Sequence, residues 1–228
     1  MADDTSQNVK LFRQALPYIN AYRGKVFVII LPGEALAHDN FSNIAHDITL
    51  LNSLGVKLVL VHGARPQIDA ALQMAGLKDE KHDDVQGQLH HQLRVTDTDS
   101  LEEIKKVVGN LRINIEAKFS AGLPNSPMHG ADISTVSGNY VSAKPFGVHN
   151  GVDYQHTGEV RKVDSDEIAR HLDSGKTVLQ SNLGYSPSGE IFNLKVEDIA
   201  ASIAIALAAD KLLIYSAESG ILDDDDEA

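Results

Sequence analysis

The 228-residue sequence contains no cysteine and no tryptophan, and only 5% of it is aromatic. Without thiols, disulfides, thiolate metal sites and cysteine nucleophiles are excluded, and secretion gains no support. With so few rings the core must be aliphatic, built from Ile, Leu, Val and Ala. Positive charge is also scarce: 20 Lys and Arg face 32 Asp and Glu, a net charge of −12. That balance speaks against a nucleic-acid partner, whose footprint is a basic patch that neutralises phosphates. No apolar run reaches the ~18 residues that suggest a spanning helix. The longest, near residues 199–209, is Ala-rich and short enough to be core. The opening MADDTSQNVK is polar and acidic, unlike a signal peptide. A soluble, cytoplasmic chain with no membrane partner fits these absences. What is present, 43% hydrophobic and 23% charged residues, suffices for one large α/β domain or two small ones.

Residues 7–22 space Val9, Phe12, Leu16 and Ile19 as one helical face, interrupted at Pro17. The pattern favours a packed helix over one that shows Phe12 and Tyr18 to a partner chain. VFVIIL is a strand buried on both faces. FSNIAHDITLLNSLG follows as a helix with Ile44, Ile48 and Leu51 on a stripe and Gly55 at its C′ position. VKLVLVHG is a second buried strand, and ARPQIDAALQMAG a helix closed by Gly76. This strand–helix–strand unit implies a parallel crossover. KDEKHDDVQGQLHHQ, residues 78–92, reads as an exposed polar loop. The next segment turns helical near Asp99, with Ser100 and Glu103 as a capping box. Residues 121–135 are rich in turn formers. YVSAKPFGV and TGEVRKVD form a hairpin lying off the main sheet. Asp164 caps a short helix with Glu167 at N3 and Gly175 at C′. TVLQS is a strand, LGYSPSGE a turn, VEDIAASIAIALAAD a helix and KLLIY a last strand. The alternation calls for a mostly parallel sheet with helices on both faces.

Ligands in such folds bind beyond the carboxyl ends of strands. LPGEA, HGARPQ and SNLGYSPSGE lie there. Gly33 and Gly63 let backbone approach an anion at helix N-termini. Arg65 and Arg94 have the fork geometry for a carboxylate. Taken singly, each glycine reads first as a tight turn and each arginine as a surface ion pair. None of these patterns is a dinucleotide fingerprint or a Walker loop. His82, His90 and His91 read as solvated loop residues, since nothing enforces metal-like convergence. His62 reads as a hydrogen-bonded structural residue.

Together the segments are more specific. VFVIILPGEAL, LVLVHGARPQID, LRVTDTDSLE, VSAKP, GEVRKVD and GEIFNLKVEDIAASIAIALAADKLLIYSAESGIL occur in the order seen in the amino-acid-kinase family, and resemble acetylglutamate kinase in layout. PYINAYRGKVFVIILPGEAL, HGARPQIDA, VSGNYVSAKPFGVHNGVDYQHTGEVR and HLDSGKTVL bring the chain closer to the kinase-like N-terminal domain of bacterial N-acetylglutamate synthases. The resemblance implies a three-layer α/β sandwich with a mostly parallel central sheet, C-terminally incomplete. The implied partition is an oligomer-contacting helix in residues 1–22, a kinase-like domain in residues 23–222 and an acidic stub in residues 223–228.

It also implies departures. The kinases carry a lysine before two glycines on the first strand; here Ile30 matches the lysine and Pro32 the first glycine. The kinases' lysine-organising aspartate is matched by Glu197. Their HGGG is HGAR here, with Ala64 and with Arg65 filling space that a substrate acyl group uses. Arg94 and Asn193 match positions that hold acetylglutamate carboxylates. The implied pocket of Gly33, Gly63, Ala64, Arg65, Arg94, Asn193 and Glu197 is vestigial: a phosphoryl group in transfer needs positioned positive charge, and isoleucine supplies none. No catalytic residue, metal or cofactor is implied for this chain, acetyl-CoA belonging to an acetyltransferase domain that follows in such synthases. L-arginine is the implied allosteric ligand, with Tyr18 as the residue carried over to its site, and a homo-oligomer is the implied assembly. The competing expectations are an active acetylglutamate-type phosphotransferase and a ligand-free scaffold. A sheet ending at KLLIY is expected to leave an unpaired edge.

Overall fold

A computed structural model describes residues 2–83, 92–121 and 133–216. The expected turns of residues 122–132, His90 and His91, and the acidic stub lie outside the described residues. The strands with the strongest apolar runs form the centre. β1 (Val26–Leu31) and β2 (Lys57–His62) lie side by side and parallel, with Val26 opposite Lys57 and Leu31 opposite His62. Helix α1 (Ala2–Tyr22) precedes them, and α2 (Gly33–Ala37), α3 (Phe41–Ser53) and α4 (Arg65–Ala75) follow β1 and β2. β3 (Lys81–Asp83) and β4 (Gln92–Arg94) make a two-stranded ribbon, after which α5 (Thr98–Phe119) and β5 (Thr135–Ser137) follow. β6 (Val141–Pro145), the small pair β7 (Val148–His149) and β8 (Val152–Asp153), and β9 (Gly158–Val163) come next. The chain then runs through α6 (Ser165–Asp173), β10 (Thr177–Gln180), β11 (Leu183–Tyr185), β12 (Ile191–Asn193), α7 (Val196–Ala206) and β13 (Lys211–Ile214). The central sheet is all parallel in the order β13-β1-β2-β10-β5. A second sheet, β12-β11-β6-β9, contains the expected β6–β9 hairpin.

Alternation along the central strands explains the layers. Val28, Ile30, Val59, Val61 and Val178 face α6, α7 and the second sheet through Ile168, Leu172, Ile199, Ile203, Val141 and Ala143. Phe27, Ile29, Leu31, Leu58, Leu60 and Leu179 face α3 and α5 through Ile44, Ala45, Ile48, Ile115 and Phe119. Both faces are covered, so the strands read as continuous apolar runs. A smaller cluster joins α4 to α5 through Ile68, Leu72, Ile104 and Val108.

Five local expectations are corrected. α1 starts at Ala2 and continues through Pro17; residues 13–18 are exposed, so water can satisfy the carbonyl that Pro17 leaves without a donor. The described part of its face is also not packed: Leu11 is 60% and Leu16 52% exposed, and among the described side chains only Ile19 and Tyr22 are partly covered, near the helix end. In the polar stretch read as a loop, Lys81–Asp83 pairs antiparallel with Gln92–Arg94. The cap of α5 is Asp97, whose Oδ1 accepts from Ser100 N at 2.7 Å; Ser100 itself is buried in the first turn. Leu183–Tyr185, read as a turn, is a strand that pairs with both β12 and β6, and the turn is confined to residues 186–189.

Candidate functional site

β1, β2 and β10 are adjacent and parallel, so their carboxyl ends open on one edge of the sheet. β1 ends in Leu31 and passes through Pro32 to Gly33; β2 ends in His62 and passes through Gly63 to Ala64, the N-cap of α4. The two glycines touch. A Cβ on Gly63 would lie 3.3 Å from Gly33 N and 3.4 Å from Val196 Cγ2, at the first residue of α7. A Cβ on Gly33 would lie 2.7 Å from Pro66 Cδ and 3.0 Å from Arg65 N, in the first turn of α4. Gln67 Nε2 donates to Gly33 O at 2.6 Å and ties the two loops. The start of α4, the start of α7 and two glycine backbones therefore meet, an arrangement that offers N–H groups and positive dipole ends to an anion. Arg65 and Glu197 stand exposed at the starts of α4 and α7.

His62 is fully buried, and neither ring nitrogen has a hydrogen-bond partner among the described residues, which corrects the hydrogen-bonded reading. Desolvation lowers its pKa from 6.5 to about 4, with the Arg112 charge adding to the effect and the Gly63 backbone opposing it. It stays a neutral imidazole at pH 7. Ile30, expected from the resemblance to match the kinases' lysine, is 2% exposed and packs within the aliphatic layer against α7.

Arg94 and Asn193 are brought together by a buried chain of hydroxyls. Thr157 Oγ1 donates to Arg94 O at 2.5 Å and lies 3.1 Å from Thr96 Oγ1. Asn193 Nδ2 donates to Thr96 Oγ1 at 3.2 Å, and Asn182 Nδ2 donates to Asn193 Oδ1 at 2.8 Å. Thr96 and Thr157 are fully or almost fully buried, and their β-branched side chains fix the link between β4 and β9. The Arg94 guanidinium points instead to α4 and the residues before β3. It pairs with Asp69, and its Nη1 donates to Asp79 Oδ1 at 2.5 Å. Lys81 Nζ pairs with the other oxygens of the same carboxylates, 3.1 Å from Asp69 Oδ2 and 2.9 Å from Asp79 Oδ2. The Asp69 pKa, raised by partial burial, is brought down overall by its bonds to Arg94 and Lys81. His82, read as a solvated loop residue, sits in β3 with Nε2 2.9 Å from Glu80 Oε1 and its ring edge-on to Tyr154.

Two groups therefore form: Gly33, Gly63, Ala64, Arg65 and Glu197 around the helix starts, and Arg94 with Asn193 on the hydroxyl chain. α4 belongs to both, since Gln67 reaches Gly33 and Asp69 reaches Arg94. Tyr18 stands apart on α1, 68% exposed. Sequence reasoning missed Gln67, Asp69, Asp79, Lys81, Thr96, Thr157 and Asn182. Asp69 carried a signal: it lies one helical turn beyond Arg65 in a helix opened by HGARPQ. No group of His, Asp and Glu suited to a metal ion occurs among the described residues, and no helix among them is long and apolar enough to cross a membrane.

Residues 25–228 match the model of the amino acid kinase family. The amino-acid acetyltransferase of Pseudomonas syringae pv. syringae is 55% identical over 216 residues, covering 95% of this chain and 48% of that protein. The amino-acid acetyltransferase of Pseudomonas aeruginosa is 53% identical over 215 residues, covering 94% of this chain and 48% of that protein. Among solved structures, N-acetylglutamate synthase from Neisseria gonorrhoeae complexed with coenzyme A and L-arginine superposes with a TM-score of 0.81 at 35% identity, over 95% of this chain and 49% of that one. The carbamate kinase of Giardia lamblia bound to AMP-PNP, at 16% identity and a TM-score of 0.57 over 85% of this chain and 71% of that one, shares the fold. The chain spans about half the length of the curated relatives it matches.

Proposed function

Since the chain belongs to the amino acid kinase family, we propose that it is the kinase-like regulatory part of an N-acetylglutamate synthase, itself without phosphotransfer activity. In this reading it senses L-arginine and joins like copies, while acetyl transfer from acetyl-CoA to glutamate, the first step of arginine biosynthesis, takes place on a separate acetyltransferase part in the cytoplasm. The observation that carries the reading is the match, over 95% of this chain, to about half of proteins named amino-acid acetyltransferase. The solved relative bound to L-arginine supports the choice of ligand. Ile30 supports the loss of phosphotransfer: a side chain buried among aliphatics at the end of β1 brings no cation to a phosphoryl group.

Gly33, Gly63, Ala64, Arg65, Arg94, Asn193 and Glu197 are then remnants of an acetylglutamate-type pocket rather than a catalytic constellation. Residues 1–22 form the assembly element, residues 23–222 the kinase-like unit and residues 223–228 an acidic tail. The exposed apolar residues Val9, Leu11 and Leu16 on α1 suit contact with a second copy. Tyr18, on the same helix, is placed at the arginine site. The coupling between arginine and the distant acetyl-transfer site is a free energy of about 1–3 kcal/mol.

Calorimetric titration of L-arginine into the protein, with its assembly followed by sedimentation, tests the reading. A saturable heat with a change in assembly is the expected result. Absence of both rejects it. ADP release from Mg-ATP in the presence of N-acetylglutamate, above the protein-free blank, rejects the loss of phosphotransfer.

A further inference from the structure

The second sheet curls back on itself beside one side chain. Thr157, the residue before β9, bridges to Asn193 at the end of β12, so the order β12-β11-β6-β9 returns to its start. Leu194, the next residue, is buried between two strand glycines. A Cβ on Gly184 of β11 would lie 2.5 Å from Leu194 Cδ1, and one on Gly158 of β9 would lie 3.0 Å from Leu194 Cδ2. Each methyl of Leu194 thus takes space that a side chain at one of the glycines would need. Neither glycine has a positive φ, so close approach, and not an unusual backbone conformation, calls for glycine there. Leu194 N donates to Asn182 O at 2.9 Å, beside the bond from Asn182 Nδ2 to Asn193 Oδ1. On its other side come Lys195, the N-cap of α7, and Val196, whose Cγ2 would stand 3.4 Å from a Cβ on Gly63. Leu194 is therefore the joint between the hydroxyl chain and the glycine loops.

We propose that Leu194 is a positioning residue: seated between Gly158 and Gly184, it makes the curled sheet and the start of α7 move as one body, so that a change in the chain of Thr96, Thr157 and Asn193 reaches the backbones of Gly33 and Gly63. A side chain held from two sides passes displacement on, because a close-packed interior yields little to local compression. Further along α7, Ile199, Ala200 and Ile203 are fully buried and hold the helix in the core. A shift at Leu194 is then taken up in the first turn, where Val196 faces Gly63. Helix α4 offers a second route between the same groups, through Gln67 and Asp69, and the experiment separates the two. The inference does not depend on arginine sensing.

Thr157→Val breaks the hydroxyl chain at one end, and Gly63→Ala presses on Gly33 and Val196 at the other. Their effects on the unfolding equilibrium constant, read from urea unfolding of the full chain, multiply if the two ends are independent. The double variant is expected to depart from that product on the order of fivefold when Leu194 is present. In a Leu194→Ala background the departure is expected to shrink to within about twofold. A merely structural Leu194 would lower stability without changing the departure. A product obeyed with Leu194 present overturns the inference. So does a departure that survives in folded Leu194→Ala, which would assign the link to α4. If Leu194→Ala does not fold, Leu194→Val, which draws the two methyls back by one carbon, is expected to reduce the departure in the same direction, and a folded Leu194→Val that leaves it undiminished overturns the inference equally. Thr96→Val, which removes the acceptor of Asn193 Nδ2, takes the place of Thr157→Val under the same criteria if that variant does not fold. The measurement contains no arginine, so its failure and the failure of the proposed function are read separately.

Discussion

His62 shows how burial alone sets the chemistry of a single group. The unfolded chain takes up a proton on this residue near 6.5, and the folded chain only near about 4. Neutral His62 therefore contributes stability that is full above 6.5, falls through that window, and is gone below the folded value, where both states carry the proton. The size is about 3 kcal/mol at most. His62→Leu is expected to flatten this part of the pH profile, read as the difference in urea midpoint between about pH 7 and about pH 4.5. An unchanged difference would show that His62 does not titrate as its burial requires. Ile30 gives a second prediction. Ile30→Lys places a cation at the family position, but the side chain there lies among Val28, Val59, Val61, Ile199 and Ile203. Loss of more than about 2 kcal/mol of stability is expected in denaturant unfolding, without any gain of ADP release.

Among the elements, the two glycine loops are bound by close approach rather than by special dihedrals. Gly33→Ala would press a Cβ onto Pro66 and the Arg65 backbone, where only Gln67 can swing away. A loss of roughly 1–3 kcal/mol is expected in thermal or denaturant melts, with a smaller effect for Gly63→Ala, whose nearest neighbours lie 3.3 Å or more away. Gly33 thus holds β1 against α4, which is why its backbone matters whether or not an anion ever binds there. Helix α1 is the opposite case. It contributes little to either sheet layer, so Leu11→Glu with Leu16→Glu is expected to leave the melting temperature within about 2 °C, because surface changes away from packed features usually stay within ±0.5 kcal/mol. Sedimentation is expected to show a smaller species for that variant than for the unaltered chain. Equal species for both would remove α1 from the assembly.

For the whole molecule, one layer of strands carries every other feature. Because β1, β2 and β10 run parallel and adjacent, their ends deliver Gly33, Gly63 and Asn182 to one edge, and α4 spans from that edge to the Arg94 ion pairs. Among the described residues β13 is an outer strand of this sheet, and its Leu212 and Ile214, in register with Val28 and Ile30, are exposed.

The sequence determined the central strands β1, β2, β10 and β13, most helix limits and the parallel sense of the sheet by local means: unbroken apolar runs require cover on both faces, and Gly55, Gly76 and Gly175 end helices where a positive φ is needed. It also carried the family, through motifs whose order survives substitution. The missed features depend on residues far apart in the chain. Lys81 pairs with Asp69 across 12 positions and Arg94 with Asp69 across 25, so a polar stretch that looks solvated on paper becomes a strand riveted to a helix. Likewise nothing local distinguishes Leu16 on α1 from Ile48 on α3; only the folded chain shows that one stripe has a sheet to cover it and the other does not. Periodicity sets which side chains share a face, but the partner that desolvates or neutralises them is supplied by tertiary structure.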